Sequence, residues 1–230
     1  MDTLLKTIKY IRAIATRSLK TRQSYLAQES IRPISTKYGF DRGLPVDRYY
    51  IEKFLKSHQP SIRGAVLEVV DSTYTEKFGG DKVSKADALD IFLTLKANIH
   101  GDLRNLSGVI ADETYDCIIV TQTFNVIDQY EKAIGECYRI LKPGGVLLVT
   151  LPTLSPTWNL KINMWRFTAP AAKETFSQFF NVAHVDVASL GNRESALAFW
   201  LGMAVEDLAP ADIKKNDETL PLIIGIAATK

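Results

Sequence analysis

The chain has 230 residues, 46% of them hydrophobic, and a formal net charge of +2 at pH 7. That length suits one α/β domain with an extension, and no unbroken apolar run approaches the roughly 18 residues of a membrane-spanning helix. The charge is uneven. In residues 1–30 Lys6, Lys9, Arg12, Arg17, Lys20 and Arg22 face only Asp2 and Glu29, a local +4 that leaves a nearly neutral remainder. This argues against nucleic acid as the main partner.

Residues 1–30 read as a basic amphipathic extension and 31–230 as the main domain. Leu4, Ile8, Ile11, Ala15 and Leu19 recur at helical spacing among the cations. Such a stripe packs on its own domain, on a second copy in a homo-oligomer, or, as the weaker alternative, on an anionic membrane surface. Cations scattered through the stripe exclude a secretory signal. Cys117 and Cys137 fall on expected buried elements, which reads as reduced thiols in a cytoplasmic protein. His58, His100 and His184 lie far apart, so no metal-ligand spacing is present.

Residues 31–44 form a turn-rich link. Pro45 then opens a helix whose apolar face is Tyr50, Ile51, Phe54 and Leu55, with Asp47, Arg48 and Tyr49 crowding its start. Ala65 to Val70 is a buried strand. Asp87 to Phe92 can be a second strand, and Ser84 to Asp87 can equally open a helix. Cys117 to Val120 is an unbroken apolar strand. The helix after it is expected to be capped by Asp128, to bury Ile127, Ile134, Cys137 and Leu141, and to stop at Lys142-Pro143-Gly144-Gly145. Val146 to Leu151 is the next buried strand. A helix from Ala169 to Phe180 capped by Thr168, a strand from Val182 to Ala188, a helix from Glu194 to Leu201 and a last strand from Leu220 to Ala228 complete the series. Strand, helix and strand in this rhythm predict right-handed parallel crossovers.

The segment Asp116–Pro152, with its LKPGG helix stop and VLLVT strand, resembles strands four and five of class I S-adenosylmethionine-dependent methyltransferases. The GLPVDRYYIEKFL segment is similar to one that precedes the first strand in a bacterial, glycan-biosynthesis-associated subgroup, and that likeness runs from about Ile34 onward. The resemblance implies a Rossmann-like, doubly wound, mostly parallel seven-stranded sheet and S-adenosylmethionine as cofactor. It implies Glu68, Asp71, Ser72, Asp90, Asp102, Leu103, Thr121 and Gln122 as cofactor contacts. Asp102 would face the adenine amine, and Asp90 or Asp87 would serve the ribose in place of Phe92. Acceptor contacts are expected from Asp47, Arg48, Tyr49, Trp165, Arg166 and Asn192. The acceptor is a small molecule or a glycan-linked group. No general base is identified; Asp47, His100 and Asp71 are the candidates. The family's GxGxG turn is absent, since Val69 and Val70 stand where glycines are usual. A remodelled, non-catalytic binding or scaffolding domain is therefore the rival reading.

Overall fold

The computed structural model describes residues 32–157 and 162–230, and the expected N-terminal helix lies outside them. Two compact units result. One takes Ile51–Ser189 and Ile223–Lys230; the other takes Leu190–Leu222 with the described residues up to Tyr50. No helix among the described residues is long and apolar enough to cross a membrane.

The larger unit is a seven-stranded sheet in the order β3-β2-β1-β4-β5-β7-β6. Its strands are β1 (Gly64–Val69), β2 (Val83–Asp90), β3 (Ile99–His100), β4 (Tyr115–Thr121), β5 (Leu141–Pro152), β6 (Val185–Leu190) and β7 (Ile223–Thr229). As expected, β1, β4 and β5 are parallel neighbours, with Val66 beside Cys117 and Cys117 beside Val146. The ambiguous second segment is a strand, parallel to β1. The β5–β7 pairing is antiparallel. Pro221 precedes β7, which lies inside the sheet and not at its edge.

Helices α1 (Val46–Ser57), α2 (Thr73–Gly79), α3 (Tyr130–Ile140), α4 (Ala169–Ser177), α5 (Arg193–Trp200) and α6 (Pro210–Lys214) alternate with the strands. Helix α3 buries Ala133, Ile134, Cys137 and Ile140 against Leu67, Ile118, Val120, Leu147 and Val149 of the sheet. Apolar burial of this kind contributes about 25 cal/mol for each Å² removed from water. Burial also pushes both cysteine thiols far up, keeping them neutral.

Two local expectations are corrected. Asp128 does not cap α3; the cap position is Gln129, and the Asp128 carboxylate pairs with Arg104 at 2.6 Å. The LKPGG segment already belongs to β5. Lys142 Nζ donates to Asp116 Oδ2 at 2.8 Å and does not lie along the helix end. The same Asp116 oxygen accepts the Ala65 amide, so one carboxylate ties the starts of β1, β4 and β5. A side chain on Gly145 would meet the Lys142 and Tyr115 carbonyls at 2.9 and 3.1 Å, which explains the second glycine.

The smaller unit is held by polar bonds at its turns. Arg42 grips buried Asp207 through two bonds, 2.7 and 2.9 Å. Gly202, at φ +70°, lies against the Ser35 carbonyl where no side chain fits. Tyr50 donates its hydroxyl to the Ile213 carbonyl at 2.8 Å.

Candidate functional site

Strand order reverses between β1 and β4: the chain steps one way through β2 and β3, and the other way through β5. Open parallel sheets bind ligands in the crevice outside the carboxyl ends at such a reversal. Glu68, Val69 and Val70 end β1 here, and Thr121 and Gln122 end β4.

The two strand ends share an unusual backbone. Val70 has φ +87° and Gln122 has φ +50°, both in the left-handed region. Each extends the ladder by one bond before turning, Val70 N to Leu89 O at 2.8 Å and Gln122 N to Thr150 O at 2.9 Å. For a β-branched residue this conformation costs on the order of 1–2 kcal/mol, and such strain concentrates at functional sites. The turn after β1 is therefore made by Val70 without a glycine, and its side chain is half exposed. Gln122 Nε2 is buried with no hydrogen-bond partner among the described residues.

Glu68 is 3% exposed. Its carboxylate accepts the amides of Tyr74 and Thr75 at 3.1 and 2.7 Å and the Thr75 hydroxyl at 2.8 Å. Burial pushes its carboxyl up to about 7 despite these bonds. Asp71 Oδ1 accepts the Thr73 amide at 3.0 Å. The first three amides of α2 are thus already taken by carboxylates. A pyrophosphate, which needs such amides free, finds no seat there. Ser72 donates to Glu76 at 2.6 Å.

Asp90, and not Phe92, is the terminal residue of β2, beside His100 of β3. One of its oxygens accepts the Phe92 amide at 3.0 Å. Asp87 faces away from any ligand role: it is 2% exposed and bonded to Tyr115, Asn98 and Lys85. Asp102 closes a tight turn after β3. Arg104 embraces its carboxylate, holding its pKa below the usual range, and also reaches Asp128 at 2.6 Å. Leu103 packs into the core beneath. The larger unit therefore gathers Glu68, Asp71, Ser72, Asp90, Asp102, Leu103, Thr121 and Gln122 on the carboxyl-end side of its sheet.

Of the expected acceptor contacts, two lie in this unit. Trp165 is 39% exposed, its Nε1 donating to Ile127 O at 2.9 Å and its ring edge-on to Tyr130. The Arg166 fork is spent on the Asn163 side chain and the Trp165 and Ser155 carbonyls, so it shapes its own loop. Asp47, Arg48, Tyr49 and Asn192 belong to the smaller unit. Asn192 is 1% exposed, caps α5 through Ser195 and donates to the Asp212 and Lys215 carbonyls, each at 2.6 Å; its amide is consumed by the fold. Asp47 is partly exposed, yet desolvation pushes its carboxyl above the usual range.

Sequence reasoning missed Asn125. It is 5% exposed, its Oδ1 has no partner among the described residues, and its carbonyl accepts both the Met164 and Trp165 amides. The bonds that matter are long-range, so no local signal marked it.

Residues 66–149, from β1 into β5, match the sequence profile of a methyltransferase domain, a little over a third of the chain. No curated protein matches the chain. Among solved structures it is similar to an S-adenosylmethionine-dependent methyltransferase from Archaeoglobus fulgidus, at 15% identity and TM-score 0.54 over 80% of this chain and 94% of that one. The Bacillus subtilis protein YcgJ gives 13% identity and TM-score 0.51 over 80% and 98%. The [4+2]-cyclase SpnF gives 15% identity and TM-score 0.53 over 87% and 88%. At these identities the likeness shows the fold alone. That fold is the Rossmann-like one of class I methyltransferases, and residues 66–149 carry a methyltransferase-domain sequence pattern within it.

Proposed function

We propose that the chain transfers a methyl group from S-adenosylmethionine to a small-molecule or glycan-linked acceptor. The observation that carries this reading is the use of the α2 amides by Glu68 and Asp71. A crevice so closed to phosphate, with Asp90 ending β2 and Asp102 just beyond β3, suits a cofactor with a cationic, phosphate-free end and leaves carboxylates for its hydroxyls and adenine amine.

S-adenosylmethionine supplies an already activated sulfonium methyl. The chain's share is binding and alignment, which is where the rate of such a transfer is gained. Asp90 offers its remaining oxygen to ribose hydroxyls, and Asp102 offers an oriented, ionised carboxylate to the adenine amine. Asp71, Ser72, Thr121 and Gln122 face the amino-acid end, where the unpartnered Gln122 Nε2 has a donor to give a carboxylate. Glu68 acts indirectly, by fixing the α2 start. On the acceptor side Trp165 presents a ring held in place by its indole bond, a surface suited to a sugar or another flat group.

One observation favours a second reading. Val70, half exposed at φ +87°, stands where the resemblance to methyltransferases puts a glycine that lets the cofactor approach, and a fold of this kind is not bound to one chemistry. A non-catalytic binding domain follows if that side chain shuts the cofactor out. Incubation of the purified chain with methyl-tritiated S-adenosylmethionine and pooled glycan-linked acceptors decides between them. Transfer of label above that of an Asp90→Ala variant supports methyl transfer. Absence of both transfer and cofactor binding supports the second reading.

A further inference from the structure

Lys96 lies on the β2–β3 connection, yet its Nζ is 3.7 Å from Asp71 Oδ2, on the turn after β1. The connection thus crosses from one strand end to its neighbour over the carboxyl-end side of the sheet. Asp71 meets the Thr73 amide with one oxygen and Lys96 with the other. The Lys96 side chain is 73% exposed and anchored by little else. The residues before it are apolar and unpacked: Phe92 is 72%, Leu93 87% and Leu95 fully exposed. Their backbone is pinned, among the described residues, at its base, where Phe92 bonds Asp90 and His100. With Ile91, 57% exposed, that makes four apolar side chains in six residues turned to water beside a ligand crevice, without the partner that would justify their cost.

We propose that Lys96 is a resident stand-in for the ammonium group of the cofactor's amino-acid end, carried on a strap of residues 91–96 that the cofactor displaces. The proposal rests on the S-adenosylmethionine reading above and gives it a binding order. The ligand ammonium takes the Asp71 oxygen that Lys96 holds. The released strap then lays Phe92, Leu93 and Leu95 over the adenosine, which covers apolar surface on both partners. Until then the Lys96–Asp71 pair works against binding, with the modest strength of an exposed ion pair.

Two ligands separate the ammonium contact from the rest: S-adenosylhomocysteine, and 5′-methylthioadenosine, which keeps the adenosine and sulfur but lacks the amino-acid end. Calorimetric titration of the full chain and of Lys96→Gln and Asp71→Asn is expected to show three things. Lys96→Gln binds S-adenosylhomocysteine about two- to five-fold tighter, and 5′-methylthioadenosine tighter by a smaller factor, because the freed strap can cover the adenosine without an ammonium. Asp71→Asn binds S-adenosylhomocysteine about ten-fold weaker and 5′-methylthioadenosine no weaker. Amide hydrogen exchange in residues 91–96 slows on ligand binding in the full chain. Unchanged or weaker S-adenosylhomocysteine binding by Lys96→Gln, or an equal shift for both ligands, overturns the stand-in while leaving the cofactor reading intact. A parent chain that binds neither ligand removes that reading and this proposal together.

Discussion

Glu68 and Thr75 are joined by two hydrogen bonds to one carboxylate oxygen, the Thr75 amide at 2.7 Å and its hydroxyl at 2.8 Å. They lock the end of β1 to the start of α2. Because burial raises the Glu68 pKa to about 7 from an ordinary 4.5, the folded state holds this proton more tightly than the unfolded state. The sign follows from linkage: stability falls as pH rises from about 4.5 to about 7 and is flat above, at a slope of at most about 1.4 kcal/mol per pH unit. Carboxylates held low by cationic partners, such as Asp102 and Asp116, act in the opposite direction but only below about pH 4. Glu68→Gln removes the titration. Thermal unfolding at pH 5 and pH 8 is expected to show a marked drop in Tm for the parent and a much smaller one for the variant. Equal drops would mean that Glu68 is ionised throughout.

The strained turn at Val70 makes a second prediction. Val70→Gly relieves a left-handed φ of +87° and removes a half-exposed side chain, at the cost of a more flexible unfolded chain. The net expectation is a stabilisation of roughly 0.5–1 kcal/mol, with tighter S-adenosylhomocysteine binding as the crevice widens. Urea unfolding and calorimetry measure the two effects. A variant destabilised by more than about 1 kcal/mol would show that the valine side chain is needed where it lies.

Asn192 tests the assignment of a site residue to structure. Asn192→Ala strips the α5 cap and leaves the Asp212 and Lys215 carbonyls without their donor, which is expected to cost about 2–3 kcal/mol in urea unfolding. A variant as stable as the parent but unable to act on an acceptor would return Asn192 to the acceptor site.

The frame was legible where periodicity decides it. Cys117–Val120 and Val146–Leu151 are apolar on both faces, and only the middle of a parallel sheet buries both. The end of β2 was misplaced because Ile91-Phe92-Leu93 continues the apolar run; the Asp90 carboxylate capturing the Phe92 amide is a side-chain event that the run does not reveal. The roles of Asp128, Arg166 and Asn192 were beyond reach for a related reason. Arg104 claims Asp128 from 24 residues away, and the Asn192 amide is claimed by carbonyls 20 and 23 residues on. Position relative to a strand can be read locally, whereas occupancy of a polar side chain depends on partners brought by the fold. The position of Asp102 just beyond β3 was therefore readable, and the grip of Arg104 on it was not.

The basic stripe of residues 2–28, outside the described residues, supports one expectation from sequence. Deletion of residues 1–28 leaves a cooperatively folding domain and changes its oligomeric state or solubility, read by urea unfolding and by light scattering after size exclusion. Loss of cooperative unfolding would place the stripe in the domain's own core.

The cofactor claim is tested most directly by calorimetric titration of S-adenosylhomocysteine into the parent chain and into Asp102→Ala. The crevice at the ends of β1, β2 and β4 predicts one site per chain in the parent. Loss of the oriented Asp102 carboxylate is expected to weaken it about ten-fold, or about 1.4 kcal/mol, without unfolding the protein. No heat of binding at millimolar ligand in the parent, or identical affinity in the two proteins, would contradict the account.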